Sequence, residues 1–270
     1  MSRVDEVLRA NRTYGGSLIG YFPIGYRDLA ASIDAAVAMC ESGVDVLELG
    51  VPYSDPVMDG LVIQQATEVS LANGFRLDDV FEAVRQISAR VQTPLLVMSY
   101  WNPILQYGLE RFATNLSEAG AAGAITPDLI PEEARNWIAT TDENNLDRVF
   151  LATPSSSDER VARTAQSSRG FVYAVSTMGI TGERADLDAQ ARLVVSKIRQ
   201  QSPESMSAVG IGISTADQVK QVNSYADGAI VGSAFVRAYQ ESGIAGLTSK
   251  VKELAKGVRV GRSCLIPASA

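Results

Sequence analysis

Apolar runs of strand length alternate with stretches of helical periodicity along nearly the whole chain. Residues 1–16 have the spacing of an amphipathic helix, and the apolar run that follows them ends at Phe22. Each later apolar run is followed by a helical pattern, which is the order of elements in α/β proteins. The predicted strands cover residues 17–22, 44–49, 93–100, 121–126, 148–153, 171–176, 207–212 and 227–232.

The count of eight strands, each followed by a helix, favours a (β/α)8 barrel over a doubly wound open sheet. A chain of 270 residues fits one such barrel, and no G-x-G-x-x-G fingerprint follows the first strand. We therefore predict an α/β fold, a single TIM barrel over residues 1–257, with an extra N-terminal helix and helical inserts such as residues 61–72. Residues 258–270 have neither period, which predicts a disordered tail or an addition to the native chain.

One stretch, residues 44–60, passes from a buried strand directly into a loop with further carboxylates. Glu48 comes near the end of the strand, where a carboxylate is costly unless it has a task or a partner. Asp55 and Asp59 lie in the following loop, which proline and glycine residues punctuate. In a barrel the carboxyl ends of the strands surround the active site, so Glu48 is expected to point into a pocket. The alternative is that these acids only solvate a surface loop.

Charge and composition exclude several classes of partner. The chain has 24 basic and 31 acidic residues, a formal net charge of −7 and no cluster of lysine or arginine, so neither nucleic acid nor an anionic membrane is an expected partner. No apolar run reaches transmembrane length, and the N-terminus lacks the apolar core of a signal peptide, which predicts a cytoplasmic protein. The two cysteines, Cys40 and Cys264, do not indicate a disulfide framework.

The residue types that are absent narrow the chemistry further. The chain contains no histidine, which excludes histidine acid/base catalysis, Ser-His-Asp triads and histidine-ligated metals. A Schiff-base lysine is expected in a desolvated pocket at a strand end, whereas every lysine here falls in a predicted helix of the last third. Proton transfer in an enzyme of this composition therefore rests on carboxylates, tyrosine or water. The lysines are Lys197, Lys220, Lys250, Lys252 and Lys256.

Two strand ends that carry glycine indicate an anion site. Residues 210–214 (GIGIS) close the seventh strand, and residues 232–235 (GSAF) lead from the eighth strand into a helix. Backbone amides and a helix N-terminus converge there, which is where barrels commonly bind phosphate. The alternative is that these glycines only permit tight turns. Residues 177–186, after the sixth strand, are either a lid over the pocket or a plain surface loop.

Residues 48–60, ELGVPYSDPVMDG, resemble the signature of the α subunit of tryptophan synthase, and they stand at the expected place after the second strand. The resemblance extends over residues 14–257. The chain departs from the family pattern at Met58, Leu61 and Ile130, beside the pocket, and leaves the carboxylates intact. The further matching segments are YFPIGY (21–26), MSYWNPILQYG (98–108), TPDLIPEEA (126–134), ATPSSSDERV (152–161), FVYAVSTMGITG (171–182), GIGIS and GSAFV.

The resemblance implies a lyase of tryptophan biosynthesis that cleaves indole-3-glycerol phosphate to indole and glyceraldehyde 3-phosphate in a retro-aldol reaction. It implies that Glu48 serves indole C3 and the glycerol hydroxyl as a mobile acid and base, and that Asp59 stabilises the charge at N1. Thr181 in the lid would close onto Asp59. Other implied site residues are Phe22, Ile63, Tyr100, Leu151 and Tyr173 around the indole, with Gly182, Gly212, Gly232 and Ser233 at the phosphate.

The resemblance also implies a pyridoxal-phosphate-dependent β subunit as partner in an α2β2 tetramer, with Asp55 and Asn102 at the contact. It implies no cofactor and no metal in this chain. Pyridoxal phosphate is not expected here because no strand-end lysine is present to hold it. Two other functions stay open at this point. One is a phosphosugar isomerase on the same barrel, which turnover of aminoaldose phosphates would reveal, and the other is a binding subunit without catalysis.

Overall fold

Nine parallel strands form one continuous sheet in the computed structural model of the chain, which describes residues 2–176 and 184–258 without the side chains of residues 184–186. Almost all strand positions are buried, because helices cover the outside of the sheet and side chains fill its inside. The strands are β1 (Ser17–Pro23), β2 (Val46–Gly50), β3 (Leu95–Met98), β4 (Gly123–Ile125), β5 (Asp147–Val149), β6 (Leu151–Ala152), β7 (Val172–Val175), β8 (Ser207–Gly210) and β9 (Gly228–Val231).

The two ends of this sheet belong to one stretch of chain. The strands are ordered β5-β4-β3-β2-β1-β9-β8-β7-β6, and only Phe150 separates β5 from β6 along the chain. The sheet therefore curls into a barrel, in which β5 and β6 are the two halves of the fifth predicted strand. At the break the Phe150 amide donates to Ser168 Oγ at 3.4 Å, eighteen residues away along the chain, instead of to a neighbouring strand. The predicted (β/α)8 TIM barrel is thus confirmed, with its fifth strand interrupted.

Helices follow the strands as the periodicity predicts, with one addition. The predicted insert over residues 61–72 is present as α3, and α5, which contains Pro103, is a short helix that was not predicted. Proline is tolerated there because Pro103 stands in the first turn, where its missing N–H has no intrahelical acceptor. The helices are α1 (Arg3–Arg12), α2 (Leu29–Ser42), α3 (Leu61–Ala72), α4 (Asp78–Ser88), α5 (Trp101–Tyr107), α6 (Leu109–Glu118), α7 (Arg135–Glu143), α8 (Asp158–Ser167), α9 (Arg184–Gln201), α10 (Ala216–Asn223) and α11 (Ser233–Ala255).

Side chains of alternate strand positions fill the inside of the barrel. The interior cluster is apolar, and α1 closes its N-terminal end with the fully buried Val4 and Leu8. A larger apolar cluster lies between the strands and the surrounding helices. Because the barrel is plugged at one end, the strands deliver their last inward side chains to a mouth at the other. The inward strand residues include Ile19, Val46, Leu96, Ile125, Val149, Phe171, Ala208 and Ile230.

Two further predictions concern a membrane-spanning segment and the end of the barrel domain. No helix in residues 2–176 and 184–258 is both long and apolar enough to cross a membrane. The predicted domain boundary at residue 257 stays a prediction, since residues 259–270 lie outside the described residues. Val258, the first residue of the predicted tail, is buried.

Candidate active site

The alternation of β2 places Glu48 inside the barrel. Val46 belongs to the interior cluster and Leu47 to the outer one, so Glu48 faces inward at the mouth. Its side chain is only 1% exposed, and Oε1 has no hydrogen-bond partner among the described residues. Burial raises the pKa of this carboxyl to about 8, because the charged form loses its hydration. Glu48 is therefore mostly protonated at neutral pH.

Asp59 reaches the same cavity from the loop after β2. Its backbone carbonyl accepts a hydrogen bond from Gln64 Nε2 at 2.8 Å, which ties the loop to α3. Burial raises the pKa of the Asp59 carboxyl to about 6, although the hydrogen bond from Tyr100 lowers it. Tyr100 also accepts from the Met58 amide at 2.9 Å, so it holds both the Asp59 carboxylate and the residue before it.

The two carboxyl groups line one cavity of about 340 Å³ and differ in protonation. Between a pKa of about 6 for Asp59 and about 8 for Glu48, the first is mostly ionised and the second mostly protonated. Neighbouring titratable groups whose environments separate their pKa values are a general sign of an acid and a base with distinct tasks. The cavity can therefore donate a proton at one side and accept one at the other near neutral pH.

Two tyrosine hydroxyls line this cavity as neutral donors. Tyr21 is paired with Glu48 in the register between β1 and β2, and Tyr173 comes from β7. Burial and the nearby carboxylates raise the pKa of both hydroxyls well above the ordinary value of 10. Both groups therefore keep their protons and can donate hydrogen bonds to a ligand, but cannot act as bases.

The prediction that Phe22 lines the pocket is wrong, and Tyr21 takes that place. Phe22 is fully buried outside the barrel, where its ring packs edge-on against Tyr239 at a centroid distance of 5.3 Å. The alternation of β1 explains the difference, because Ile19 points inward and so must Tyr21. The same period-two argument, applied to the sequence, would have found Tyr21.

The other residues predicted around the indole are placed as follows. Ile63 lines the cavity that contains the carboxylates, and Leu151 lines an adjoining lobe of about 560 Å³. Tyr173 lines both lobes. Tyr100 lies behind Asp59 rather than on the cavity wall, so its role in the structure is to hold the carboxylate. Thr181 lies outside the described residues.

Two methionines that were not predicted to line the cavity lie where its two lobes adjoin. Met58 and Met98 line both, and Met98 follows the inward Leu96 by two positions on β3. The strand period could have found Met98. Met58 belongs to an irregular loop, where no periodicity reports the direction of a side chain.

The predicted phosphate residues meet at one wall of the cavity. Gly212, Gly232 and Ser233 all line it, whereas Gly182 lies outside the described residues. Gly212 has φ +69°, a left-handed conformation that glycine adopts without strain. A Cβ at Gly232 would lie 3.2 Å from Tyr21 Cδ1, so a larger residue there would require the tyrosine ring to shift slightly.

The helices that follow β8 and β9 differ at their N-termini. Thr215 caps α10 with a complete capping box, in which the Gln218 side chain also takes part. Gly232 caps α11 and has no side chain to bond the first amides. The first amides of a helix have no intrahelical acceptor, and their partial positive charge favours anions. The start of α11 therefore offers donors to a ligand in the cavity.

The two predicted partner-contact residues are exposed on the same face of the barrel. Asp55 accepts a hydrogen bond from Ser54 Oγ at 2.6 Å, and Asn102 Nδ2 donates to Tyr53 Oη at 3.4 Å. Tyr53 stacks on Tyr100 with a ring-centroid distance of 5.1 Å. Since Tyr100 bonds Asp59, a chain of contacts links this exposed surface to the cavity.

The described residues contain no group of three side chains that could hold a metal ion. In the described part of the chain no lysine lines either lobe of the cavity. Lys197 is directed elsewhere, since its Nζ donates to the Ser156 carbonyl at 3.0 Å. The chemistry that these residues can perform by themselves is therefore acid–base chemistry by carboxyl groups, with amides and hydroxyls as donors.

The barrel and its cavity define a class of protein: a TIM barrel whose pocket, at the carboxyl ends of the strands, contains two carboxyl groups beside the ends of the last two strands. Residues 8–261 match the family model described as tryptophan synthase alpha chain, so the chain belongs to this family. It is a lyase of tryptophan biosynthesis that cleaves indole-3-glycerol phosphate to indole and glyceraldehyde 3-phosphate. Family membership decides against a phosphosugar isomerase.

Individual relatives agree with this assignment over nearly their full length. The tryptophan synthase alpha chain of Leifsonia xyli is 58% identical over 258 residues, which cover 95% of this chain and 98% of the relative. That of Mycobacterium intracellulare is 48% identical and covers 96% and 95%. A structure of Mycobacterium tuberculosis tryptophan synthase superimposes with a TM-score of 0.90 at 48% identity, covering 96% of this chain and 99% of that one. A tryptophan synthase complex from Pyrococcus furiosus gives a TM-score of 0.80 at 30% identity, covering 89% and 98%.

Proposed function

We propose that Glu48 and Asp59 are the acid–base pair of the cleavage of indole-3-glycerol phosphate. The observation that carries this proposal is the Glu48 carboxyl, which is 1% exposed, has an unpartnered Oε1 and lines the same cavity as Asp59. A buried carboxyl without a partner is costly, and the cost is understandable if a ligand supplies the partner.

The opposite protonation states of the two groups fit the first step of the reaction. The Glu48 carboxyl gives its proton to indole C3, and the Asp59 carboxylate takes the proton of N1, which produces the indolenine tautomer. A pKa of about 8 keeps Glu48 protonated for this step at neutral pH, and a pKa of about 6 keeps Asp59 ionised.

The second step returns both groups to their starting states. The Glu48 carboxylate takes the proton of the hydroxyl on the carbon attached to C3, and the carbon–carbon bond breaks as the aldehyde forms. The electron pair of that bond flows into the ring, and Asp59 returns the proton to N1. Indole and glyceraldehyde 3-phosphate leave, and neither a metal nor a covalent intermediate is needed for the balance of protons and electrons.

The cavity offers donors for the phosphate end of the substrate and apolar side chains for its indole end. We place the phosphate at the start of α11, on the amides and hydroxyl of Ser233 with Gly212 and Gly232 beside it. We place the indole against the apolar side chains and tyrosine rings that line the rest of the cavity. These are Tyr21, Met58, Ile63, Met98, Leu151 and Tyr173. Thr181 and Gly182 are proposed from the resemblance alone.

The partner that we propose is a tryptophan synthase β subunit in an α2β2 tetramer, with Asp55 and Asn102 at the contact. The exposed loop residues around Asp55 and the ring contact from Tyr53 to Tyr100 support this, because they connect such a surface to Asp59. We propose that this chain needs no cofactor and that pyridoxal phosphate belongs to the partner. A cytoplasmic location suits a phosphorylated substrate, since such anions do not cross membranes unaided.

Replacement of Glu48 by glutamine tests the proposal. The amide keeps the size of the side chain but cannot carry the proton, so Glu48→Gln should lower kcat for indole release by about 100- to 10,000-fold with little change in KM. The assay is run with and without β subunit. Asp227→Asn, at the opposite end of the barrel, is the matched control and should keep its kcat. Retention of more than about a tenth of kcat by Glu48→Gln would place the acid elsewhere.

A further inference from the structure

The cavity contains one cationic side chain among its described lining residues. Arg237 lines both lobes, and no other arginine or lysine of the described chain lines either. The ionisable acids on the wall are Glu48 and Asp59. A phosphate ester adds between one and two negative charges near neutral pH. Asp59 is mostly ionised at neutral pH, and like charges repel strongly where water is partly excluded, so a positive group near the phosphate would stabilise such a ligand.

The position of Arg237 on α11 directs it to the start of that helix. It follows Ser233 by four residues, so both lie on one face of the helix. Long side chains on a helix lean towards its N-terminus and cover the preceding turn. Ser233 lines the same two lobes, which agrees with this direction. The guanidinium can therefore approach an anion that sits on the first amides of α11.

Arg237 is also unengaged within the described part of the chain, where it has no ion pair or hydrogen bond to protein atoms. Other arginines of the barrel are held in place. The Arg27 guanidinium, for example, donates to the Tyr239 carbonyl at 3.3 Å and lies over the Tyr239 ring. An exposed arginine at a cavity edge with its donors unused can reorient towards a ligand.

The start of a helix alone does not make a ligand site, and a second observation supports one here. Glu48, 1% exposed and with Oε1 unpartnered, faces into the same cavity. Its burial without a partner indicates that this cavity is built for a ligand, independently of α11. The anion end of that ligand then has one described cation within the lining, which is Arg237.

We propose that Arg237 binds the substrate's phosphate through its guanidinium and thereby selects phosphorylated over unphosphorylated indole glycerol. This inference rests on the proposed function, because it takes the phosphate to lie at the start of α11. The guanidinium supplies a full positive charge and up to five N–H donors, whereas the backbone amides supply only partial charge. Arg237 is thus a specificity-determining residue that does not take part in proton transfer.

The test measures the dissociation constants of glycerol 3-phosphate and of indole by calorimetry with the full chain. Arg237→Gln should weaken glycerol 3-phosphate about fivefold, a modest effect because the side chain is exposed, and should leave indole unchanged. Arg237→Lys should restore most of the affinity, since it keeps the charge. Lys252→Gln removes one charge from the other end of α11 and should match wild type. In turnover, Arg237→Gln should raise KM and leave kcat unchanged.

The outcomes separate this inference from the function on which it rests. If Ser233→Pro weakens glycerol 3-phosphate while Arg237→Gln binds it as tightly as Lys252→Gln, the phosphate site stands and the role of Arg237 is wrong. If Arg237→Gln loses indole affinity to the same degree, its effect is structural and the inference is overturned. If neither Ser233→Pro nor Arg237→Gln changes the affinity, the phosphate lies elsewhere and both statements fail.

Discussion

Buried carboxyl groups stand at both ends of the barrel, and their surroundings differ. Asp227, before β9 at the N-terminal end, is 2% exposed, and its Oδ2 accepts from the Ser207 amide at 2.9 Å and from Ser207 Oγ at 3.2 Å. Arg12 Nε lies 3.3 Å from its Oδ1. Glu48, at the C-terminal end, is 1% exposed, and its Oε1 has neither a hydrogen bond nor an ion pair with the described residues.

The difference is the one expected between a structural acid and the acid that we propose for catalysis. Around Asp227 the protein itself supplies two donors from Ser207 and a nearby cation, Arg12. At the C-terminal end Glu48 Oε1 has no such donor or cation among the described residues, and burial keeps the carboxyl protonated instead. The helix starts repeat this contrast, because Thr215 caps α10 while Gly232 leaves the amides of α11 without a side-chain acceptor. At the C-terminal end these groups line one cavity, where a ligand can supply the missing partners.

The largest contrast is expected in stability. Glu48 ionises near 4.5 in the unfolded chain and near 8 in the folded one, so between these values the folded state binds more protons and stability falls as pH rises. Glu48→Gln removes this loss. Its stability gain over wild type should grow by up to about 1.4 kcal/mol per pH unit in that window. Asp227→Asn should instead lose about 1–3 kcal/mol, because its partners remain without the charge.

Urea unfolding of the full chain at pH 5 and pH 8 measures both effects. Wild type, Glu48→Gln and Asp227→Asn are compared at each pH. Their free energies of unfolding are obtained from the urea midpoints with one common m value. Equal stability differences between Glu48→Gln and wild type at the two values would mean that Glu48 is not held protonated by the fold. Stabilisation by Asp227→Asn would remove the contrast between the two ends.

The next largest effect is expected at Asp59. Its carboxyl is intermediate between those of Asp227 and Glu48, because it is buried but accepts a hydrogen bond from Tyr100. Asp59→Asn should lower kcat about 100-fold, since N1 loses its proton acceptor. The wild-type profile of kcat/KM against pH should rise through about 6 as Asp59 ionises and fall through about 8 as Glu48 loses its proton. In Asp59→Asn the acid limb should vanish and the alkaline limb remain. An unchanged acid limb would assign it to another group.

A smaller effect is expected from the amides at the start of α11. Ser233→Ala removes only the hydroxyl, whereas Ser233→Pro also removes one amide donor at a position where proline is compatible with the helix. Ser233→Pro should raise KM for the substrate by at least about tenfold, which is about 1.4 kcal/mol, and by more than Ser233→Ala does. Equal KM values for the two variants would show that the amide does not bind the phosphate.

The smallest effect is expected at the partner surface. Asp55→Ala should lower the ratio of indole release with saturating β subunit to release without it by a few-fold, because an exposed polar contact contributes about 1 kcal/mol or less. Basal release should stay near wild type. Glu41→Ala, an exposed acid at the C-terminal end of α2, provides the control for loss of one surface charge. If both variants are activated equally, Asp55 is not part of the contact.

The order of strands and helices could be predicted from the sequence because each element has its own period. The break of the fifth strand could not, since it depends on the long-range contact between the Phe150 amide and Ser168 Oγ. The short helix α5 was not predicted either, since seven residues give too short a window for helical periodicity and one of them is a proline.

The site residues also divide into those that the sequence could predict and those that it could not. Glu48 stands on a regular strand, so its direction follows from a period of two residues, and the same rule applied to β1 gives Tyr21 instead of Phe22. Tyr100 and Met58 depend on the path of an irregular loop, which no period describes. The separated pKa values of Glu48 and Asp59 depend on burial and on Tyr100, which only the assembled barrel determines.

The central claim is that the fold keeps a proton on Glu48 at neutral pH, and a titration of that carboxyl by NMR tests it directly. The chain is labelled with ¹³C at the glutamate side-chain carboxyls, and the Glu48 resonance is assigned by its absence from Glu48→Gln. We expect a midpoint at about 8. A midpoint near the ordinary value of 4.5 would contradict it.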